Sequence, residues 1–235
     1  MAYHQNKLDR GFDLIIDILG ADHMDAYPDV IAAINKLGYD TEKIQVIIHQ
    51  FVTLTNGEEP VKMSTRKANY VTLDELINEV GADVVRYFFI MRGSNSHLNF
   101  DLKLAKDESD ENPVFYLQYA HARLCNILKH AEDMGHPLRN DVELSPLNHP
   151  LELILVKNIL DFPNLVERAY DTLEPQAIAN YLQKIAAVFH KYYANERVVT
   201  EDRNLTSARL TLVKAVKIIM HNGLSILGIN APQRM

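Results

Sequence analysis

The spacing of apolar residues changes near residue 105, and this change constrains the fold more than any other feature of the sequence. Before that point short apolar runs alternate with segments of helical period, whereas after residue 112 only the helical period is found. Strands that alternate with helices are typical of a parallel sheet, and consecutive long helices are typical of a bundle. We therefore expect an α/β domain over residues 1–105 followed by an all-α domain over residues 106–235.

The α/β part has the pattern of a βαβ unit. Residues 14–19 and residues 44–49 are short apolar runs, and residues 24–37 between them have apolar side chains at helical spacing. Strand, helix and strand joined by short links are expected to place the two strands parallel in one sheet. The alternating residues 51–55, followed by Asn56-Gly57, then indicate a hairpin.

Four long helices are predicted beyond the boundary. Asparagine before proline at residues 112–113 is a good helix start, because asparagine caps the first turn and proline needs no hydrogen-bond acceptor there. The predicted helices span residues 113–135, residues from 149–150 onward with a bend near Pro163, residues 175–197 and residues 207–227. Helices of this length with short polar links favour a bundle.

Charge and cysteine content narrow the possible functions. The formal net charge of −7 argues against indiscriminate nucleic-acid binding through bulk charge, although a local basic face is compatible with it. The single cysteine, Cys125, excludes an intramolecular disulfide and a zinc site built from thiolates. No apolar run approaches the ~20 residues needed to span a bilayer. We expect a cytoplasmic protein with no membrane partner and no protein-bound metal.

Three segments, taken together, resemble one family. Residues 61–67 (Val-Lys-Met-Ser-Thr-Arg-Lys) look like the lysine–methionine–serine signature of class I aminoacyl-tRNA synthetases. Residues 112–123 and residues 223–235 resemble the opening helix of the anticodon-binding bundle and the C-terminus of bacterial-type arginyl-tRNA synthetases. The resemblance covers nearly the whole chain. It implies part of a class I, Rossmann-like nucleotide-binding domain followed by an α-helical anticodon-binding bundle.

The loop at residues 61–67 would serve the ATP chemistry of that family. Activation of an amino acid by ATP builds negative charge on the departing pyrophosphate, and cations on a closing loop stabilise that charge. The resemblance assigns this catalytic role first to Lys62, with help from Ser64, and assigns Met63 and Arg66 to ATP binding. Taken alone, the same residues fit a solvated basic loop after a hairpin.

A Gly-Ala-Asp-His motif follows the first predicted strand, at the end of a parallel sheet where ligands of open α/β folds bind. By resemblance, Gly20 and Asp22 contact the ribose of ATP, and His23 faces the amino-acid substrate. The position of Asp22 fits equally well an N-cap for the following helix. In the family geometry, the backbone near Phe51 and Val52 holds the adenine edge.

Three residues of the first bundle helix are candidates for RNA binding. Tyr116, Tyr119 and Arg123 lie three and four residues apart, so they share one helix face. Aromatic rings and a guanidinium suit unpaired bases, which offer π-faces and hydrogen-bonding edges, but a buried tyrosine stripe has the same spacing. By resemblance this face reads the anticodon of tRNA, together with Tyr193 and the terminal Met235.

One motif of the family is missing from the sequence. Class I synthetases bind ATP with a His-x-Gly-His motif, and none of the ten histidines here begins that pattern. Residues 2–13 resemble a segment inside the catalytic domain, so we expect the first strand to lack neighbours and to expose apolar surface.

The resemblance implies the C-terminal portion of an arginine–tRNA ligase. The whole enzyme would use ATP with Mg²⁺ to form arginyl-adenylate and would then transfer arginine to its tRNA, as a monomer. We expect the chain by itself to be inactive in adenylate formation. The alternative is a non-catalytic module that binds tRNA for arginine without chemistry.

Overall fold

The computed structural model describes residues 1–61 and 71–235. Residues 62–70, and with them the predicted ATP-side residues Lys62, Met63, Ser64 and Arg66, lie outside the described residues. The strands are β1 (Ile15–Gly20), β2 (Ile44–His49), β3 (Val52–Asn56), β4 (Glu59–Pro60) and β5 (Leu98–Asp101). The helices are α1 (Ala2–Asp9), α2 (Tyr27–Lys36), α3 (Leu73–Val80), α4 (Ala82–Ile90), α5 (Leu102–Ala105), α6 (Pro113–Asp133), α7 (Pro150–Thr172), α8 (Gln176–Asn195) and α9 (Arg203–Ile226).

The described strands form two small sheets. β1 and β2 pair in parallel, with Gly20 opposite His49 at their carboxyl ends, as the βαβ pattern predicts. In the second sheet the central strand β3 pairs antiparallel with β4 through the predicted turn at Asn56-Gly57. It also pairs in parallel with β5. The predicted fold class, mixed α/β elements followed by long helices, is therefore confirmed.

Strand β1 exposes apolar side chains on one side of its small sheet. Ile15 is buried, whereas Ile16 and Ile18 are 42% and 68% exposed. The expectation that the first strand leaves apolar surface uncovered is confirmed.

Two short elements, strand β5 of the second sheet and the helix α5 that follows it, are absent from the prediction. β5 has only four residues, too few for its alternation to stand out. It is fixed by Asp101, whose carboxylate accepts hydrogen bonds from the backbone of Lys103 and Leu104 at the start of α5. The same carboxylate accepts from the Gly57 N–H at 3.0 Å, which ties the hairpin turn to β5.

The helical part contains the four long helices that its periodicity predicts, α6 to α9. α9 begins at Arg203, four residues before the predicted start, because the carboxylate of Asp202 accepts from the backbone of Asn204 and Leu205. α7 continues through Pro163 as one helix of 23 residues. None of the described helices is both long and apolar enough to cross a membrane.

The bundle core is formed where α6 packs against α9 and α7 packs against α8. Leu117, Leu124, Leu182 and Val216 are completely buried there, and burial of each such side chain contributes about 1.5–3 kcal/mol. α8 and α9 approach closely at Gly223, where an added Cβ would lie 2.6 Å from Leu182 Cδ2. A larger residue at that position would force Leu182 to move.

A polar contact joins α4 to the bundle. The side-chain amide of Gln183 on α8 donates to the Tyr87 hydroxyl at 3.0 Å and to the Pro113 carbonyl at 2.9 Å. Burial raises the pKa of Tyr87 to about 12, so its hydroxyl stays protonated. Since Tyr87 belongs to the same hydrophobic core as the bundle, α4 packs as a continuation of it.

A buried ionic network fixes the bundle end near residues 196–199. Arg209 on α9 donates from Nε to Glu152 Oε1 at 2.7 Å and from Nη2 to Glu196 Oε2 at 2.8 Å. Its Nη1 donates to the Arg197 carbonyl at 2.6 Å. Glu152 is fully buried and also accepts from the His149 backbone at the start of α7. Three helices are thereby joined through one guanidinium.

Replacement of Arg209 by methionine is expected to destabilise the fold strongly. The variant keeps the length of the side chain but leaves Glu152 buried without its cation, and such a loss costs about 3–5 kcal/mol. Urea titration followed by circular dichroism measures this as a lower unfolding midpoint.

The matched control is Arg203→Met, on the exposed first turn of the same helix α9. It is expected to change the free energy of unfolding by less than about 0.5 kcal/mol. The double variant Glu152→Gln/Arg209→Met should recover part of the loss, since the unpaired charge is then gone. Equal midpoints for Arg209→Met and the wild type would contradict the role given to the network.

Candidate nucleic-acid interface

A cavity of about 740 Å³ lies at one end of the bundle. It is lined by residues of α6 from Tyr119 onward, by the end of α8 with the segment that follows it, and by the last residue of the chain. Four of the five residues predicted to bind tRNA line this cavity, namely Tyr119, Arg123, Tyr193 and Met235. Residues from three distant parts of the sequence are thus brought to one surface.

The guanidinium of Arg123 is the centre of this surface. It lies over the ring of Tyr119 at 4.5 Å and over the ring of Tyr193 at 5.5 Å, so two helices contribute cation–π contacts to it. Its Nη2 donates a hydrogen bond to the Tyr119 hydroxyl. Its Nη1 lies 3.3 Å from Nδ1 of His190. The guanidinium plane is therefore held from several sides.

The arrangement suits recognition of unpaired bases. The tyrosine rings and the guanidinium plane of Arg123 offer stacking surfaces, and Asn126 and Asn195 in the cavity wall add amide donors and acceptors. Unpaired bases are bound by such combinations of stacking and edge hydrogen bonds, with about 1–3 kcal/mol per stacked base. Tyr193 is exposed and can accept a base without rearrangement of the core.

Tyr116 differs from the other four predicted residues. Its ring packs on His190 with centroids 4.8 Å apart and lies against the hydrophobic core, outside the cavity lining. Burial, assisted by the negative charge of Asp110, raises the pKa of its hydroxyl. The structure therefore separates Tyr116 from the cavity and places it behind the surface formed by Tyr119 and Arg123.

The C-terminal tail is held against α6, which brings Met235 to the cavity. Nδ1 of His121 lies 2.8 Å from the Pro232 carbonyl oxygen, within hydrogen-bond distance. Burial lowers the pKa of His121, so the ring is neutral near pH 7 and its Nδ1–H donates this bond. Gln118 donates to the Asn230 carbonyl at 3.0 Å. Each of these bonds joins two residues that are more than a hundred positions apart in the sequence.

Two residues, one beside the cavity lining and one within it, were not predicted from the sequence. His190 packs between Tyr116 and Tyr119, with its ring 6.1 Å from that of Tyr119 and nearly parallel to it. The signal was present, since His190 lies one turn before Tyr193 on the same helix. Arg197 in the cavity wall carries no such signal, because it follows the end of α8.

The Gly-Ala-Asp-His motif lies at the carboxyl end of β1. β1 ends at Gly20, and residues Ala21–His23 form a short 3-10 turn before α2. The side chain of Asp22 folds back over Gly20, where an added Cβ would meet Asp22 Oδ1 at 2.5 Å. A side chain at position 20 would therefore require the exposed Asp22 carboxylate to move.

Asp22 does not cap helix α2, so that alternative is wrong. α2 is preceded by Ala26, which makes no side-chain capping bond. Instead, the side chains of Asp22 and His23 are largely exposed, with Asp22 Oδ2 and His23 Nε2 3.8 Å apart. A solvent-facing carboxylate and imidazole at a sheet edge remain available for a ligand.

Phe51 and Val52 lie just past the partner strand β2. Val52 begins β3, and the Phe51 side chain is exposed. Since Gly20 pairs with His49, the motif after β1 and the segment after β2 emerge at the same end of this sheet. The predicted residues of the motif and of the segment after β2 therefore lie at the carboxyl end of the same sheet.

Comparison with known sequences gives related proteins along the whole chain. Residues 117–235 match the family model of the DALR anticodon binding domain. The chain is 53% identical to an arginine–tRNA ligase of Salinibacter ruber and 49% identical to one of Chlorobaculum tepidum, over all of its residues. It spans 42% and 43% of those two proteins, less than half of their length.

Solved structures give the same result. A Campylobacter jejuni protein described as an arginyl-tRNA synthetase matches with a TM-score of 0.87 and 31% identity, over 99% of this chain and 50% of that one. Thermus thermophilus arginyl-tRNA synthetase matches with a TM-score of 0.78 and 25% identity, over 95% of this chain and 41% of that one. Since the family model covers the helices around the cavity, this chain belongs to the DALR anticodon-binding domain family.

Proposed function

We propose that this chain is the C-terminal portion of an arginine–tRNA ligase and that its bundle binds the anticodon loop of tRNA for arginine. The observation that carries the proposal is the cavity in which Arg123, Tyr119, Tyr193 and Met235 meet. Membership of an anticodon-binding family and whole-length similarity to arginine–tRNA ligases support it. Residues 106–235 would be the tRNA-binding domain, and residues 1–105 part of the catalytic domain.

In this proposal tRNA is bound through stacking of its bases on aromatic side chains and through a local positive charge. The net charge of the chain is −7, so attraction to phosphates over long distances is weak. Arg123 supplies a cation where the loop bases would lie, and Tyr119 and Tyr193 supply flat surfaces on either side. Tyr116 then supports the surface from behind rather than touching RNA.

The α/β part would contribute one side of the ATP site. Gly20 and Asp22 would contact the ribose, the backbone of Phe51 and Val52 the adenine, and His23 the amino acid. The exposed turn after β1, at the sheet edge it shares with the end of β2, supports this assignment.

The loop residues Lys62, Met63, Ser64 and Arg66 would meet the phosphates, with Lys62 and Ser64 stabilising the departing pyrophosphate. Their assignment rests on sequence resemblance alone. ATP would enter with Mg²⁺ as substrate of the whole ligase, which we propose to be cytoplasmic and monomeric.

A non-catalytic tRNA-binding module is the second candidate. The anticodon-binding domain match over residues 117–235 fits it as well as it fits the ligase, whose His-x-Gly-His motif is not within this sequence. The two candidates differ in what the reading frame encodes immediately upstream. A continuous frame that carries this motif favours the ligase, and its absence favours the module.

The proposal can be tested by tRNA selection. The chain is expected to bind tRNA for arginine more tightly than a non-cognate tRNA in a titration with labelled RNA at fixed ionic strength. Tyr119→Ala removes one stacking surface and a contact that orients Arg123. We expect it to weaken binding roughly tenfold, the effect of losing one stacked base.

The control for this titration is Tyr170→Ala. Tyr170 on α7 is 73% exposed and lies outside the cavity, so its removal should leave the affinity unchanged. Equal binding of both tRNAs, or equal losses from the two alanine variants, would contradict the assignment of the cavity as the reading surface.

The proposal also predicts that the chain by itself is inactive in adenylate formation. The purified chain is expected to show no arginine-dependent exchange of pyrophosphate into ATP, because the histidine motif that binds ATP in this class is not encoded within it. The measurement is incorporation of labelled pyrophosphate, with an intact arginine–tRNA ligase as positive control. Exchange that depends on arginine and exceeds the buffer blank would contradict the expected inactivity of the chain.

A further inference from the structure

We propose that His190 is a positioning residue for tRNA binding, whose neutral imidazole accepts a hydrogen bond from Arg123 and so fixes the guanidinium for stacking on a base. The inference rests on the proposed function and assigns a residue of α8 that touches no RNA itself. It begins from the 3.3 Å separation between Arg123 Nη1 and His190 Nδ1.

The chemistry of the two groups decides which atom carries the proton. A guanidinium has donors only, so Nδ1 of His190 must accept and the ring proton of the neutral imidazole must be on Nε2. Nε2 is buried and makes no hydrogen bond within residues 1–61 and 71–235.

The surroundings hold the ring in that orientation. Tyr116 packs on one part of it at 4.8 Å and Tyr119 is nearly parallel to it at 6.1 Å. Phe189, its neighbour on α8, lies 5.5 Å away. The imidazole therefore cannot turn away from Arg123 without displacing aromatic rings on α6, and this makes the acceptor a fixed one.

The charges around His190 keep it neutral. Burial is the main reason that its pKa is lowered, and the positive charge of Arg123 on α6 lowers it further. Asp110, before α6, and the nearby backbone of Tyr116 oppose these effects without reversing them. Near pH 7 the imidazole is then an acceptor, while protonation at lower pH would place two cations against each other.

Two substitutions separate the acceptor from the ring. His190→Asn can keep an acceptor at the position of Nδ1 without the aromatic ring, and His190→Phe keeps the ring without the acceptor. If His190 positions Arg123, the phenylalanine variant should bind tRNA for arginine roughly five- to tenfold more weakly, somewhat less than the full worth of a charged hydrogen bond. The asparagine variant should bind within about twofold of the wild type on the same scale.

The pH profile gives a readout that a packing role would not change. Wild-type affinity should fall as the pH is lowered below the ordinary histidine pKa of about 6.5, because the acceptor is lost. His190→Asn should show no such fall. His130 also lines the cavity and is exposed, but its protonation adds a cation near RNA and would strengthen binding. The exposed His97→Asn serves as the matched control, with an unchanged profile.

The results distinguish the inference from the function on which it rests. Arg123→Ala is measured in parallel, and urea unfolding midpoints verify that each variant is folded. Loss of binding in Arg123→Ala together with full binding by His190→Phe, or equal loss in the asparagine and phenylalanine variants, would overturn the inference alone. A wild type that does not prefer tRNA for arginine at any pH would overturn both.

Discussion

One buried ion network supports the surface on which the proposed function depends. Arg209 pairs with Glu152 and Glu196 and binds the Arg197 carbonyl, so the segment that forms one wall of the cavity is fixed to α7 and α9. A buried pair of this kind contributes little net stability compared with apolar packing, but loss of one partner leaves an uncompensated charge. The network holds the residues after α8 in one position. Because these residues line the cavity, their position determines its shape.

Helix α6 packs into the bundle core on one side and lines the cavity on the other. α6 buries Leu117 and Leu124 against the other helices of the bundle while Tyr119 and Arg123 face the cavity. Side chains of α6 also hold the C-terminal tail through His121 and Gln118. A rigid scaffold thus orders groups that come from distant parts of the sequence. Preorganisation of this kind reduces the entropy lost when RNA binds.

The sequence predicts those features that have a local cause. Parallel pairing of β1 and β2, the hairpin at Asn56-Gly57 and the start of α6 at its asparagine cap each follow from short patterns. β5 was not predicted, because it forms only by pairing with β3, which lies more than forty residues earlier in the sequence. Helical spacing places Tyr116 and Tyr119 on one face, but tertiary packing decides that Tyr119 lines the cavity while the Tyr116 ring packs on His190.

Photo-crosslinking can determine whether the cavity between α6 and the end of α8 contacts the anticodon loop, as we propose. A photoreactive phenylalanine analogue replaces Tyr193 in one variant and the exposed Tyr170 of α7 in another, and each is irradiated with tRNA for arginine. We expect crosslinks from position 193 to nucleotides of the anticodon loop, and none above background from position 170. Crosslinks from position 193 to the acceptor stem, or equal crosslinking from both positions, would contradict it.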